Sequence, residues 1–167
     1  MSRGFVKEDD QEEVPMVPPR AHLPAGVPNY VTPAGMDELL AEQKALMDEI
    51  KNLDIASEQE RRIAVNFITA KLKLLNDRIN EARIIDLKEQ PKDEIRFGAT
   101  VTLKTELTNE IQTFQIVGVD ETDISRGKIS FLSPLARVLT DKKVGDKVLL
   151  KRPKGDHVFE IMDIKYI

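Results

Sequence analysis

The hydrophobic pattern of this chain changes its period once, and that change limits the folds open to it. From Met36 to Ala82 apolar residues recur at three- and four-residue steps, whereas from Phe97 onward they alternate with polar ones. The first spacing builds a helix stripe and the second a half-buried strand. Helices first and strands second specify an α+β protein. Thr32 is placed to cap the first helix and Pro33 to occupy its first position, where a missing N–H costs nothing. Asp37 and Glu38 are expected near the positive end of its dipole. Met36, Leu39, Leu40, Gln43, Leu46, Met47, Ile50 and Leu53 form one stripe, and Phe67, Ala70 or Lys71, Leu74, Leu75, Ile79 and Ala82 form the next. Ser57 with Glu60 reads as a capping box that opens the second helix, which puts the reversal between Leu53 and Glu58. The product is an antiparallel helical hairpin, a coiled-coil finger of roughly 30–35 Å.

Acids dominate Asp37 to Glu60 and cations dominate Arg61 to Arg83, so the two arms are expected to attract each other. Ile63, Val65, Ile68 and Leu72 spread beyond the seam and form an apolar surplus that suits core packing or a partner. Past a polar linker with Pro91, strands are expected from Phe97 to Leu103, Gln112 to Val119, Lys128 to Leu132, Val148 to Lys151 and Val158 to Tyr166. Ser133 and Pro134 open a short helix to Leu139, and Pro153-Lys154-Gly155-Asp156 joins the last two strands as a hairpin. The alternation breaks around Met162, where a bulge is expected. The divisions are a proline-rich leader (1–31), the finger (32–86), a linker (87–94) and a small antiparallel-sheet domain with one short helix (95–167).

In the leader, Pro15, Pro18, Pro19, Pro24 and Pro28 forbid a helix. It reads either as a disordered tail or as an extended arm anchored by Phe5, Val14, Met16, Val17 and Leu23. Among the 167 residues there is no cysteine, which removes disulfides and thiolate metal sites. A net charge of −4 argues against tight binding to duplex DNA, and the absence of tryptophan with only 2 tyrosines argues against a base-stacking platform. With no signal-like or membrane-spanning apolar run, a soluble cytoplasmic monomer is expected, with no cofactor and no bound metal.

Three stretches carry a family resemblance. Tyr30-Val31-Thr32-Pro33-Ala34-Gly35 leads into the first arm, Arg96-Phe97-Gly98-Ala99-Thr100-Val101 opens the sheet domain, and Phe131 to Val148 reads FLSPLARVLTDKKVGDKV. Over residues 30–167 the chain resembles the bacterial Gre transcription factors, GreA and GreB. The resemblance implies an FKBP-like C-terminal domain that grips the rim of the RNA polymerase secondary channel. It also implies a finger that enters the channel and sets carboxylates beside the catalytic magnesium, near transcript RNA. Two-metal hydrolysis explains the need for acids there. It assigns polymerase docking to Leu132, Ser133, Pro134, Ala136 and Arg137, with Leu132 standing where relatives commonly carry Asn or Asp.

The tip departs from the family pattern. Asp54 stands for the tip aspartate, but the glutamate position falls on Ser57 and Glu58 comes one residue late. That shift turns a side chain by about 100°. The arms also look about two helical turns shorter than the family's. Asp54, Glu58 and Glu60 are the tip candidates for magnesium contact inside polymerase, with solvated helix-start acids as the alternative. Arg61, Arg62, Lys71, Lys73 and Arg78 are candidates for channel or nucleic-acid contact, with pairing to the other arm as the alternative. His22 and His157 stand alone, and Ser133 has no base beside it. The expected function is regulation of elongation from the secondary channel, without efficient transcript cleavage and without enzymatic chemistry of its own. Cleavage stimulation through Asp54 and Glu58 is the competing reading. A prolyl isomerase or chaperone is a third, disfavoured because the phenylalanines are spread through strands as core residues.

Overall fold

Three helices and seven strands form within residues 14–167, the part of the chain that the structure, a computed structural model, describes. In chain order they are β1 (Asn29–Val31), α1 (Pro33–Lys51), α2 (Glu58–Glu81), β2 (Ala82–Ile84), β3 (Thr100–Thr105), β4 (Ile111–Val117), β5 (Lys128–Ser130), α3 (Pro134–Leu139), β6 (Lys147–Leu150) and β7 (His157–Lys165). Both finger helices start where the caps predict. Thr32 Oγ1 accepts from the Gly35 N–H at 2.9 Å, and Ser57 Oγ accepts from the Glu60 N–H at 3.4 Å. One detail is corrected: the first turn of α1 contains no acidic residue, because Pro33, Ala34 and Gly35 fill it and Asp37 and Glu38 follow.

The hairpin seam is turned relative to the predicted stripe. Val31, Leu39 and Leu75 are buried, with Met36, Leu46, Ile79 and Ala82 packed around them. Leu40 and Met47, assigned to the stripe, stand 43 % and 47 % exposed, while Ile68, assigned outside it, is buried. Ile68 and Leu75 are seven residues apart and so share one face of α2. Gln43 donates to Asn76 at 2.7 Å across the arms. The ion pairs at the finger root run elsewhere than between the arms: Glu42 pairs with Arg20 and Arg78 with Asp120.

Residues 29–31 are not leader, as the sequence suggested, but a strand. β1 runs parallel to β2, with Asn29, Tyr30 and Val31 opposite Ala82, Arg83 and Ile84. This ladder ties the start of one arm to the end of the other. Asn29 is buried and donates to the Arg78 carbonyl at 3.0 Å.

The second sheet has the order β5-β4-β3-β7-β6 and is mixed rather than antiparallel, since β4 and β5 are parallel. After β4 the chain makes 3-10 turns at Val119–Glu121 and Ile124–Arg126 and then passes through Gly127 at φ 69°. Those turns carry it back alongside the middle of β4, placing Lys128 opposite Gln115, instead of folding it straight over as a hairpin. The bulge expected at Met162 is present: the β3–β7 register shifts between Thr102, opposite Asp163, and Leu103, opposite Ile161. β3 begins at Thr100 rather than Phe97 because Gly98, at φ 87°, turns the backbone there. Val101, Leu103, Ile116, Phe159 and Ile161 from the sheet and Leu139 from α3 make the core.

Of the leader anchors, Val14 and Met16 are 87 % and 93 % exposed, whereas Val17 and Leu23 are half-buried. Phe5 lies outside the described residues. The segment is nevertheless attached: Arg20 forms ion pairs with Glu42 at 2.8 Å and with Asp120 at 3.0 Å.

Candidate functional site

Three places hold the residues singled out above: the α3 edge, the finger tip and the joint between finger and sheet module. At the edge, Ser133 caps α3 by accepting from the Ala136 N–H at 3.3 Å. This occupies its hydroxyl, and Leu132 beside it is half-buried. Ala136 is fully buried in the core, so its assignment to docking is corrected; a methyl with no exposed surface cannot meet a partner. Pro134 and Arg137 are the members of the set that face solvent.

Arg137 borders a groove of about 550 Å³ whose floor is aromatic. Tyr30, Phe97 and Phe131 pack around each other with centroids 5.6–5.8 Å apart and edge-on or tilted planes, the geometry that ring quadrupoles favour. Arg96 and Asp141 form its rim and pair at 2.9 Å. Sequence reasoning dispersed the phenylalanines through the core. Phe159 is indeed buried, and Phe97 and Phe131 are half-buried, packing against that core on one side and meeting Tyr30, which arrives from β1, on the other. The alternation of β3 gave no sign of this, because Phe97 precedes the Gly98 turn.

At the tip, Asp54 sits in the connecting loop and Glu58 and Glu60 in the first turn of α2, all exposed. Glu58 and Glu60 are two residues apart, so they point about 200° apart around the helix. Among the described residues no three acidic or histidine side chains converge where a metal ion could be held. Arg61 and Arg62 follow on the exposed surface, as does Lys73 further along. Lys71 instead lies over the Phe67 ring, 4.6 Å from its centroid. Arg78 is corrected: its side chain is only 14 % exposed, donates to the Ala21 carbonyl and lies 3.6 Å from Asp120. It is engaged at the root, between the leader and the sheet module.

The joint was not legible beforehand. Asp120 and Glu121, in the 3-10 turn after β4, look in sequence like solvated turn acids, yet both side chains are almost fully buried. Glu121 accepts from the Thr32 hydroxyl at 2.6 Å and pairs with Lys128 at 3.2 Å. A carboxylate from the sheet module thus sits at the positive end of α1, the place its own first turn leaves without an acid. Asp120 joins Arg20 of the leader to Arg78 of α2. The approach is close: a Cβ on Gly35 would lie 2.5 Å from Glu121 Oε2, and one on Gly118 would lie 2.3 Å from the Tyr30 carbonyl oxygen. Glycine at both positions is what lets the two bodies touch.

A helical finger seated on a mixed-sheet module, with a capped short helix at the module's edge, defines a class that the comparisons identify. The family model described as "Transcription elongation factor, GreA/GreB, C-term" matches residues 90–166. GreA of Francisella philomiragia is 39 % identical over 130 residues, covering 77 % of this chain and 79 % of that protein. GreA of Thioalkalivibrio sulfidiphilus is 39 % identical over 153 residues, covering 82 % and 97 %. Among solved structures, GreA factor homolog 1 of Thermus thermophilus is similar at 25 % identity over 81 % of this chain and 97 % of that one, with a TM-score of 0.40. The chain belongs to the GreA/GreB family of transcription elongation factors. Among the described residues no helix is long and apolar enough to cross a membrane.

Proposed function

We propose that this protein docks on RNA polymerase through its sheet module, inserts the finger into the secondary channel and modulates elongation there without efficient stimulation of transcript cleavage. The protein would work in the cytoplasm, where transcription takes place, and would contribute no catalytic chemistry of its own. The observation that carries the reading is the divergence of Glu58 and Glu60 around α2, followed at once by Arg61 and Arg62. Two carboxylates on opposite sides of a helix do not share a metal ion, and adjacent cations lower the local attraction for magnesium. Docking is drawn from exposed Pro134 and Arg137 and from the aromatic groove that Arg137 borders. Apolar rings ringed by arginine suit an acidic, partly apolar helical surface on the partner.

Adding the protein to a backtracked polymerase complex tests the reading. Unchanged transcript length, with slowed or altered extension, is expected; rapid shortening would overturn it in favour of cleavage through Asp54 and Glu58. Co-purification with core polymerase tests the docking edge. Arg137→Glu with Pro134→Ala should reduce recovery, and equal recovery would contradict the proposed surface. The aromatic groove gives prolyl isomerisation a specific basis as a second reading, and turnover of a proline-containing peptide by the isolated protein would support it.

A further inference from the structure

The finger meets the sheet module along a seam with two unlike sides. On the β1 side, Tyr30 packs against Phe97 and Phe131, and the Thr32 hydroxyl donates to Glu121. Finger and module supply that side between them. On the α2 side they do not. Asp120 of the module is almost fully buried, and Arg78 of the finger holds its Nη1 3.6 Å from Oδ2, too far for a hydrogen bond. Among the described residues neither of those two atoms has a hydrogen-bond partner.

The leader supplies what is missing. Arg20 Nε donates to Asp120 Oδ1 at 3.0 Å, and the two terminal nitrogens of the same guanidinium donate to both oxygens of Glu42 on α1, at 2.8 and 3.1 Å. Such a fork fixes direction as well as distance. The next residue, Ala21, accepts from Arg78 through its carbonyl. Two consecutive leader residues thus touch α1, α2 and the module at once. Leverage gives these contacts their weight. Glu58 lies about twenty residues along α2 from Arg78, a rise of about 30 Å, so a pivot of about 10° at the root sweeps the tip by about 5 Å. Contacts between domains leave such motion open unless they are large and apolar.

We propose that Arg20 is a latch: it locks the finger at one angle to the sheet module, and its release frees the finger to pivot about the Tyr30–Thr32 side. Burial of Asp120 gives the latch its strength, since without Arg20 that charge keeps no close partner. The leader is then a working part of the joint, and the reach of the tip relative to the docking module depends on a side chain that belongs to neither.

Distances between two spin labels on the isolated full-length protein test the latch without polymerase, so the outcome is independent of the function proposed above. The chain has no cysteine, so labels can be placed singly at Glu49→Cys near the finger tip and Gln112→Cys on β4, both exposed. With Arg20 in place the distance distribution should be narrow. Arg20→Ala should widen it by about 5 Å, the sweep of a pivot of about 10°. Glu42→Gln, which alters only the exposed end of the fork, should widen it less. A label pair within the finger, Glu49→Cys with Lys73→Cys, should stay narrow throughout. Should Arg20→Ala lose its helices by circular dichroism, Glu42→Gln decides. A broad distribution with Arg20 present would overturn the proposal, as would an unchanged width in the folded variants. Equal widening of the pair within the finger would also overturn it, by assigning the motion to the hairpin itself.

Discussion

Gly35→Ala sets two effects of opposite sign against each other. Gly35 lies in the first turn of α1, where replacing glycine by alanine ordinarily stabilises a helix by about 0.8–1 kcal/mol. Here the added methyl would stand 2.5 Å from Glu121 Oε2, and that oxygen already accepts from Thr32 at 2.6 Å. Restoring ordinary contact moves the carboxylate by about 1 Å, beyond the range of a hydrogen bond. Loss of a buried hydrogen bond to a charged group costs about 1.5–3 kcal/mol. Subtracting the helix gain leaves a net destabilisation of about 0.5–2 kcal/mol. Urea denaturation reads this as a lower midpoint at unchanged slope. The double variant Gly35→Ala/Glu121→Ala completes a cycle. With the carboxylate gone, alanine at position 35 should become favourable, giving a coupling of about 1.5–3 kcal/mol. A midpoint raised by Gly35→Ala alone would refute the claim that Glu121 is fixed against the helix.

Gly118→Ala should be harsher, about 2–3 kcal/mol by thermal denaturation, because the obstacle at 2.3 Å is the Tyr30 backbone rather than a side chain. Tyr166 donates to the Glu94 carbonyl at 2.5 Å and accepts from the Arg96 N–H at 2.8 Å, so Tyr166→Phe should cost about 1–2 kcal/mol in urea. Burial, the largest cause, raises the Tyr166 hydroxyl above the usual tyrosine range. The unfolded chain therefore ionises first, and stability should decline as pH rises from that usual range through the raised value. Titrating stability in alkaline buffers should reveal this decline in the unaltered protein and a smaller one in Tyr166→Phe. Arg20→Ala removes the contacts to Glu42 and Asp120, and thermolysin should then cut near Leu23 several-fold faster.

What could be read beforehand follows local physics. The Thr32 and Ser57 caps, the Ser133-Pro134 start of α3 and the bulge at Met162 are each written in a few neighbouring residues. The parallel pairing of β1 with β2 was not, because it joins residues about fifty positions apart and three-residue strands are too short to alternate. The direction of β5 depended on turns whose handedness rests on Gly127. Asp120 and Glu121 carry no local mark of burial; their partners Arg20, Thr32, Arg78 and Lys128 come from four separate segments. Ala136 was misassigned for the converse reason. A motif match gives a position in a run and leaves open whether the side chain faces core or solvent.

The parallel ladder at the base of the hairpin has a mechanical consequence. α1 departs from the C-terminal end of β1, while α2 arrives at the N-terminal end of β2. A force that splays the arms therefore pulls the paired strands from opposite ends, straining their hydrogen bonds together in shear instead of peeling them one by one. The base resists spreading as a unit, so bending under load is directed outward, into the loop that carries Asp54.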